Sequence, residues 1–230
     1  MWSADEKICS RSVNNEVQFY EGQNFDAIAH KLHLAKVQDF SLSPTSHKQL
    51  HVTAYVAGAK GAPGFCKLYQ FPLFSDHQIV ANKSFFQADS VDMTWNQQGT
   101  AVLLLTQSEV DKTGGSYYGK QQLHYMNTKG DTAMVGLTKE GPIYSTNWAS
   151  SGDLFAVVYG FMPAKATMFD LKGEPVFDFG TGPRNLAVFN PQCSILMIGG
   201  FGNLRGKIEM WDVAKKVNET TTTISTPAPR

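Results

Sequence analysis

The stretch GGFGNLRGKIEMWDV, Gly199–Val213, decides how this chain is interpreted. It combines closely spaced glycines and one arginine with an apolar run that ends in Trp211-Asp212. A phosphate-binding loop would need the pattern GxxxxGK[ST], leading from a strand into a helix. Here Ile208 follows Gly206-Lys207, and the residues beyond alternate as they do in a strand. The stretch is therefore predicted to be a hairpin between two strands, with Trp211-Asp212 closing the second of them.

The rest of the chain has the rhythm of an all-β protein. Short runs rich in Val, Tyr, Phe, Thr and Ile are separated by Gly, Pro, Asn and Ser. The best helix candidate is Asn24–Val37, in which an asparagine suited to cap a helix precedes apolar residues at helical spacing. We therefore expect many strands and one helix.

Two features recur along the sequence at similar intervals. The first is an aromatic residue followed by a polar turn and an apolar run, at Trp2, Phe40, Trp95, Trp148 and Phe189. The second is a large apolar residue followed by a polar one at a strand end, at Tyr20-Glu21, Tyr69-Gln70, Met126-Asn127, Phe169-Asp170 and Trp211-Asp212. Without two inserted loops, each repeat has about 40 to 45 residues and four short strands, which is typical of a propeller blade.

These repeats predict an all-β, WD40-like β-propeller with about five four-stranded blades. The blades are expected near residues 1–34, 35–86, 87–139, 140–181 and 182–222, followed by a disordered Thr- and Pro-rich tail at 223–230. A β-sandwich with accidental spacing is the alternative. The abrupt first repeat and the weak outer strand of the last favour a portion of a larger propeller.

Charge and motifs argue against several classes of function. Lys and Arg number 20 and Asp and Glu number 20, so net charge gives no long-range attraction to nucleic acid or to a membrane. No nucleophile motif and no poised acid–base pair occurs, so we do not expect an enzyme. We likewise expect neither a cofactor nor a small-molecule substrate. The sequence shows no secretory signal and no membrane-length apolar run, which indicates a cytoplasmic protein without a membrane contact.

Potential metal ligands are similarly uninformative. The cysteines Cys9, Cys66 and Cys193 lie far apart and are expected to be free thiols. The histidine pairs His30/His33 and His47/His51 lack an evident third ligand, so no metal site is expected.

Longer stretches resemble a known family. They include NNEVQFYEGQNFDAIAHKLHLAKVQDFSLSP from Asn14, GPIYSTNWASS, VYGFMPAKATMFDLKGEPVFDFGTGPRN and the opening stretch itself. From Asn14 to Val213 the chain is similar to the family of eukaryotic translation initiation factor 2A, in loops as well as strands. The resemblance implies a nine-bladed WD-type propeller that acts in non-standard initiation. It also implies the small ribosomal subunit, mRNA and initiator methionyl-tRNA as partners, the tRNA being delivered without GTP.

The chain departs from the family pattern in three respects. It lacks the first blades, the last blades and a lysine-rich helical extension, and after Val213 we expect it to leave the pattern. The basic extension is a natural carrier of nucleic-acid affinity. Any affinity of this chain for RNA is therefore expected to come from its loops.

Loop residues are the candidates for contact with a ribosome, RNA or protein. In a propeller, hairpins between second and third strands share one face with the connections between blades. The residues expected there are the cations Lys36, Lys60, Lys112, Lys165, Arg184 and Arg205, and the aromatic residues Phe161, Phe201, Tyr117 and Tyr118. Ordinary solvated loop charges are the simpler interpretation, and a generic WD-repeat protein-interaction scaffold without a nucleic-acid role is the alternative function.

Overall fold

The computed structural model describes residues 1–59, 61–86, 88–108, 119–204 and 206–223. Its strands form five antiparallel sheets. The first sheet holds β1 (Ile8–Val13), β2 (Glu16–Glu21) and β3 (His30–His33), and the second holds β4 (Val37–Leu42), β5 (His51–Val56), β6 (Gly64–Gln70) and β7 (Ile79–Phe85). The third holds β8 (Ser90–Trp95), β9 (Ala101–Gln107), β10 (Gln121–Asn127) and β11 (Thr132–Met134). The fourth holds β12 (Ile143–Trp148), β13 (Leu154–Tyr159), β14 (Ala164–Asp170) and β15 (Pro175–Gly182), and the fifth holds β16 (Leu186–Phe189), β17 (Ile195–Gly199), β18 (Lys207–Asp212) and β19 (Val217–Thr223).

Each sheet is a meander in which every strand pairs with the next one in the chain. The first sheet has three named strands, and an isolated bridge between Trp2 and Cys9 stands where the other sheets have their first strand. Helical structure in the described ranges is limited to two short 3-10 turns, His47–Gln49 and Asp76–Gln78. The prediction of an all-β fold built from blade-type sheets is confirmed.

The chain divides into two compact units, Met1–Met134 and Val135–Arg230. The first unit contains the first three sheets, and the second unit contains the fourth and fifth. Within each unit, neighbouring sheets are joined by an apolar layer of alternate strand residues, such as Phe19 with Val52 and Val158 with Leu196. Burial of each large apolar side chain contributes roughly 1.5–3 kcal/mol, so these layers hold each unit together.

The recurring aromatic residue stands directly before the first turn in four sheets, whereas in the second sheet Phe40 lies two residues before Leu42, which ends β4. The residue that follows the first strand or bridge forms the same type of turn in each sheet. The main-chain N–H of that residue donates to the first residue of the next strand in every sheet, at Ser3, Ser43, Asn96, Ala149 and Asn190. Four of these residues also accept a return hydrogen bond through the side chain, as Asn190 Oδ1 does from Ile195 N at 2.9 Å. The repeat seen in the sequence is therefore a repeat of turn chemistry.

The second recurring feature lies at the end of the third strand. Asp170 Oδ1 accepts the main-chain N–H groups of Lys172 and Glu174 at 2.8 and 3.0 Å. Asn127 Oδ1 makes the same pair of contacts in the third sheet, and Asp212 Oδ1 accepts the N–H of Lys215 at 2.7 Å in the fifth. In the third, fourth and fifth sheets, the polar residue that follows the large apolar one therefore caps the turn into the fourth strand.

The predicted helix at Asn24–Val37 is wrong. Asn24 Oδ1 accepts the N–H of Asp26 at 3.1 Å, so the asparagine closes a local turn and caps no helix. The following residues form β3, whose pattern is that of a strand, with Leu32 buried between exposed Lys31 and His33. Pairing with the free edge of β2 outweighs the helical spacing, because that edge would otherwise leave its backbone groups without partners.

The end of the described chain is more regular than the sequence suggests. The Thr-rich segment forms β19, which pairs with β18 through Thr223, one residue beyond the predicted end of the last blade. Residues 224–230, most of the predicted tail, lie outside the described residues. The weak outer strand is therefore a complete member of the fifth sheet.

Candidate functional site

One edge of each unit carries both the hairpins between second and third strands and the connections between sheets. We call it the hairpin edge; its described parts include Asn14–Asn15, Ala57–Ala59, Gly61–Pro63 and Leu34–Lys36 in the first unit, with Gly160–Pro163, Pro183–Asn185 and Gly200–Leu204 in the second. In the first unit, the carbonyl and the side chain of Asn15 accept the N–H groups of Leu34 and Lys36, both at 2.9 Å. The expected meeting of a hairpin with a sheet connection is thus observed directly.

Lys36 is the predicted site residue of the first unit that lies within the described residues. Its side chain is exposed, and its backbone takes a positive φ of 62° while its N–H is held by Asn15. A non-glycine residue with positive φ is uncommon and fixes the direction in which the chain presents the side chain. Five further candidates, Lys60, Lys112, Tyr117, Tyr118 and Arg205, lie outside the described residues.

In the second unit, Phe161 sits at the tip of the β13–β14 hairpin, and the residues before β12 brace that tip. The N–H groups of Gly160 and Phe161 donate to the carbonyls of Pro142 and Glu140, each at 2.9 Å. Gly141 has a φ of +128°, and a Cβ there would lie 2.2 Å from Phe161 N. The close approach requires glycine, so the sequence fixes the position of the hairpin tip.

Lys165 lies at the base of the same hairpin, where its ammonium is already engaged. The Nζ atom contacts Asp178 Oδ2 at 2.9 Å and donates to Thr138 Oγ1 at 2.9 Å. The hydrogen bond to Asp178 raises the pKa of Lys165, so the ion pair persists at neutral pH. Lys165, one of the six cations that we expected to face RNA, is therefore compensated within the protein.

Phe201 occupies the tip of the β17–β18 hairpin, the stretch with which the sequence analysis began. Asn185 fixes this tip through two hydrogen bonds of 3.0 Å: its Oδ1 accepts the main-chain N–H of Phe201, and its Nδ2 donates to the carbonyl of Phe201. A Cβ on Gly200 would lie 2.0 Å from the carbonyl oxygen of Pro183. The glycines of this stretch therefore serve a tight hairpin that packs against the neighbouring connection, as predicted.

Arg184 has a different environment from the one expected of a partner-facing cation. Its side chain is buried, and its Nη2 contacts Glu209 Oε2 at 2.6 Å. Its Nη1 donates to the carbonyls of Phe179 and Gly180 at 2.9 and 3.0 Å. Glu209 Oε2 also accepts a hydrogen bond from Trp211 Nε1 at 3.0 Å. Arg184 thus ties the end of the fourth sheet to the fifth, and we leave it out of the surface proposed below.

Several residues of this edge escaped sequence reasoning. Thr138 and Asn185 contact residues distant in sequence, as Asp178 does when it pairs with Lys165, and no local pattern predicts these contacts. Glu209 carried a signal, because it is the one acid inside the alternating strand KIEMWD at an inward position. An acid at such a position indicates a buried cationic partner.

Comparison with known proteins supplies the family. The family described as Eukaryotic translation initiation factor eIF2A matches residues 83–228. Eukaryotic translation initiation factor 2A of Drosophila melanogaster is 49% identical over 220 residues, covering 94% of this chain and 34% of the relative. The protein of the same name in Schizosaccharomyces pombe is 38% identical over 224 residues, covering 96% and 38%. A crystal structure of the eukaryotic initiation factor has a TM-score of 0.84 at 34% identity, covering 97% of this chain and 53% of that one.

Sheets of this order and pairing define the β-propeller class of proteins. Sequence and structure then identify the relatives, and the chain belongs to the eukaryotic translation initiation factor 2A family. It spans 34% and 38% of the length of the two curated relatives. The family match continues to residue 228, so the expectation that the resemblance ends at Val213 was wrong.

Two further findings concern only the described part of the chain. No helix there is long and apolar enough to cross a bilayer. No group of three or more His, Cys, Asp or Glu side chains is placed there to bind a metal ion.

Proposed function

We propose that this chain is a non-catalytic, cytoplasmic platform of a translation initiation factor. In this proposal it contacts the small ribosomal subunit and assists initiator methionyl-tRNA and mRNA in GTP-independent, non-standard initiation. Membership of the family carries the proposal, since relatives of 38–49% identity are named as initiation factors. The fold supports it because rigid sheets display loops at a fixed edge.

The ribosome-facing surface that we propose is the hairpin edge of the first unit. Lys36 is exposed there on a backbone held by Asn15. Lys60 and Lys112 belong by sequence to the loops between second and third strands, and Tyr117 and Tyr118 are part of the same loop sequence as Lys112. Lysines spaced along one edge suit the phosphates of ribosomal RNA, and adjacent aromatic rings suit unpaired bases. Arg205 remains a further candidate in the second unit.

Charge reversal tests this surface. The variant Lys36→Glu, Lys60→Glu, Lys112→Glu should bind purified small ribosomal subunits about tenfold more weakly than the wild-type chain, with a smaller dependence on salt concentration. The matched control reverses Lys7, Lys48 and Lys129, which are exposed in turns at the opposite edge of the same unit. The control variant has the same change in net charge at the opposite edge, and it should lose far less affinity for the small ribosomal subunit.

Either of two results would reject the proposal. One is a wild-type chain that shows no salt-dependent association with small subunits. The other is equal loss of affinity in the two triple variants, which would leave only a nonspecific charge effect. Binding to protein partners alone, insensitive to salt, would favour the generic interaction scaffold instead.

A further inference from the structure

The two faces of the fifth sheet differ in what they contact. Alternate residues of its strands, among them Ala187, Leu196 and Ile198, belong to the apolar layer shared with the fourth sheet. The residues between them point to the opposite face, and in the described part of the chain none of them belongs to that layer. We call this opposite face the aliphatic face, because its apolar residues are Leu186, Val188, Ile195, Met197, Ile208 and Met210.

Strand pairing brings the side chains of the aliphatic face together in rows. Val188 pairs with Met197, and Met197 pairs with Met210. Leu186 and Ile208 occupy the adjacent row, on the two strands that flank β17. Met210 is 36% exposed, and the other four residues are partly exposed. Contiguous aliphatic side chains in contact with water are unfavourable, which indicates a surface that another protein covers.

The first sheet has a face of the opposite character. Val17 packs towards the second sheet, and the residues that alternate with the packed positions include Arg11, Glu16, Lys31 and His33. Glu16 lies 3.5 Å from Lys31 Nζ and 3.4 Å from His33 Nδ1. An aliphatic face placed on these ionisable groups would remove them from water and offer them no new partners. Head-to-tail association of two copies, with the fifth sheet of one on the first sheet of the other, is therefore unfavourable.

We propose that the aliphatic face packs on the aliphatic face of a second copy of this chain. A two-fold pairing sets aliphatic rows against aliphatic rows, as the apolar layers within each unit do. The two rows end in Thr220 and Thr222 on β19, so the described rows contain no charged side chain. Asp212, beside Ile195 at the margin, already pairs with Lys215 Nζ at 3.2 Å. The aliphatic face therefore matches itself in polarity and charge.

The size of the aliphatic face determines the strength expected of this association. Four strands about 4.8 Å apart and about five residues long cover roughly 300–400 Å². A standard stable interface buries about 800 Å² on each partner, so the contact between two aliphatic faces is small. Met197 and Met210 lie in the central row, and flexible methionine side chains adapt to a facing apolar surface. We therefore expect a reversible dimer whose population rises with concentration.

Sedimentation velocity of the wild-type chain over a concentration series measures the association. The test variant combines Met197→Glu and Met210→Glu, which place charges in the central row of the aliphatic face. The matched control combines Met134→Glu and Met162→Glu, which add the same charges at exposed methionines outside that face. Circular dichroism verifies that each variant is folded. If the test variant is not, Met210→Glu alone, at an exposed position, replaces it.

The wild type and the control should convert from monomer to dimer as the concentration rises, and the dissociation constant of the test variant should be about tenfold or more higher. A wild-type chain that stays monomeric up to about 100 μM would overturn the inference. Equal dissociation constants for the test and control variants would do the same. Assemblies larger than a dimer would indicate head-to-tail packing and would also contradict it. The measurement uses no ribosome, so its result is independent of the proposed platform role.

Discussion

Arg184 and Glu209 form a buried ion pair whose closest atoms, Nη2 and Oε2, are 2.6 Å apart, with both side chains 7% exposed. The pair links the connection after β15 to the inward face of β18. A buried pair is expensive to break, because the remaining charge keeps its desolvation cost and loses its partner.

Replacement Arg184→Met should therefore lower the free energy of unfolding by about 3–5 kcal/mol, as measured by urea denaturation. The double variant Arg184→Met, Glu209→Met removes both charges and should recover much of that loss. Lys172→Met, at an exposed turn, is the control for loss of a surface cation. A single variant as stable as the wild type would show that the pair contributes nothing to holding the two sheets together.

The same pair shows where sequence reasoning reached its limit. Arg184 in the stretch GTGPRN looks like any cation in a Gly-rich loop, and only the fold brings it to Glu209. Lys165 is similar, because Asp178 lies across a strand pair with a bulge, where no spacing rule predicts the contact. Tertiary contacts determine which loop cations are free to bind a partner. The sequence predicts only the edge on which these cations lie.

Strand order and hairpin positions were predictable for a local reason. Pairs such as Phe169-Asp170 and Trp211-Asp212 end third strands because one residue fills the core and the next caps the turn. The helix predicted to begin at Asn24 was wrong for a related local reason, because an asparagine closes a turn as readily as it caps a helix. Turn chemistry that depends on neighbouring residues recurs along the chain and can be predicted from sequence. Whether an asparagine caps a helix or closes a turn depends on whether the following residues pair with a neighbouring strand, as β3 does with β2.

His124 on β10 should make the first unit sensitive to acid. The ring is almost fully buried and lies 4.9 Å from the ring of Phe85, and neither ring nitrogen has a hydrogen-bond partner among the described residues. Burial, and to a lesser extent the charge of Lys83, lowers the pKa of His124 from 6.5 to about 4. Between those two pH values the unfolded chain binds a proton that the folded chain excludes, so stability falls as the pH falls.

Replacement His124→Leu should remove this loss of stability on acidification, which amounts to about 3 kcal/mol of unfolding free energy between pH 6.5 and a pH of about 4. Urea denaturation at pH 7 and pH 4 measures it as a smaller loss of stability in the variant than in the wild type. His33→Leu is the control, since that imidazole is exposed on β3. If His124→Leu and the wild type lose equal stability on acidification, His124 does not remain neutral in the folded chain.

The turn after β14 should accept asparagine in place of aspartate, but no residue without a side-chain acceptor. Asp170 Oδ1 receives the N–H groups of Lys172 and Glu174, and Asn127 performs the same task in the third sheet. Asp170→Ala leaves two turn donors to water and should cost about 1–2 kcal/mol in urea denaturation, whereas Asp170→Asn should cost less than about 0.5 kcal/mol. Equal losses in the two variants would assign the stabilisation to the negative charge. Asp170 would then act through its charge, a role that the uncharged Asn127 cannot share.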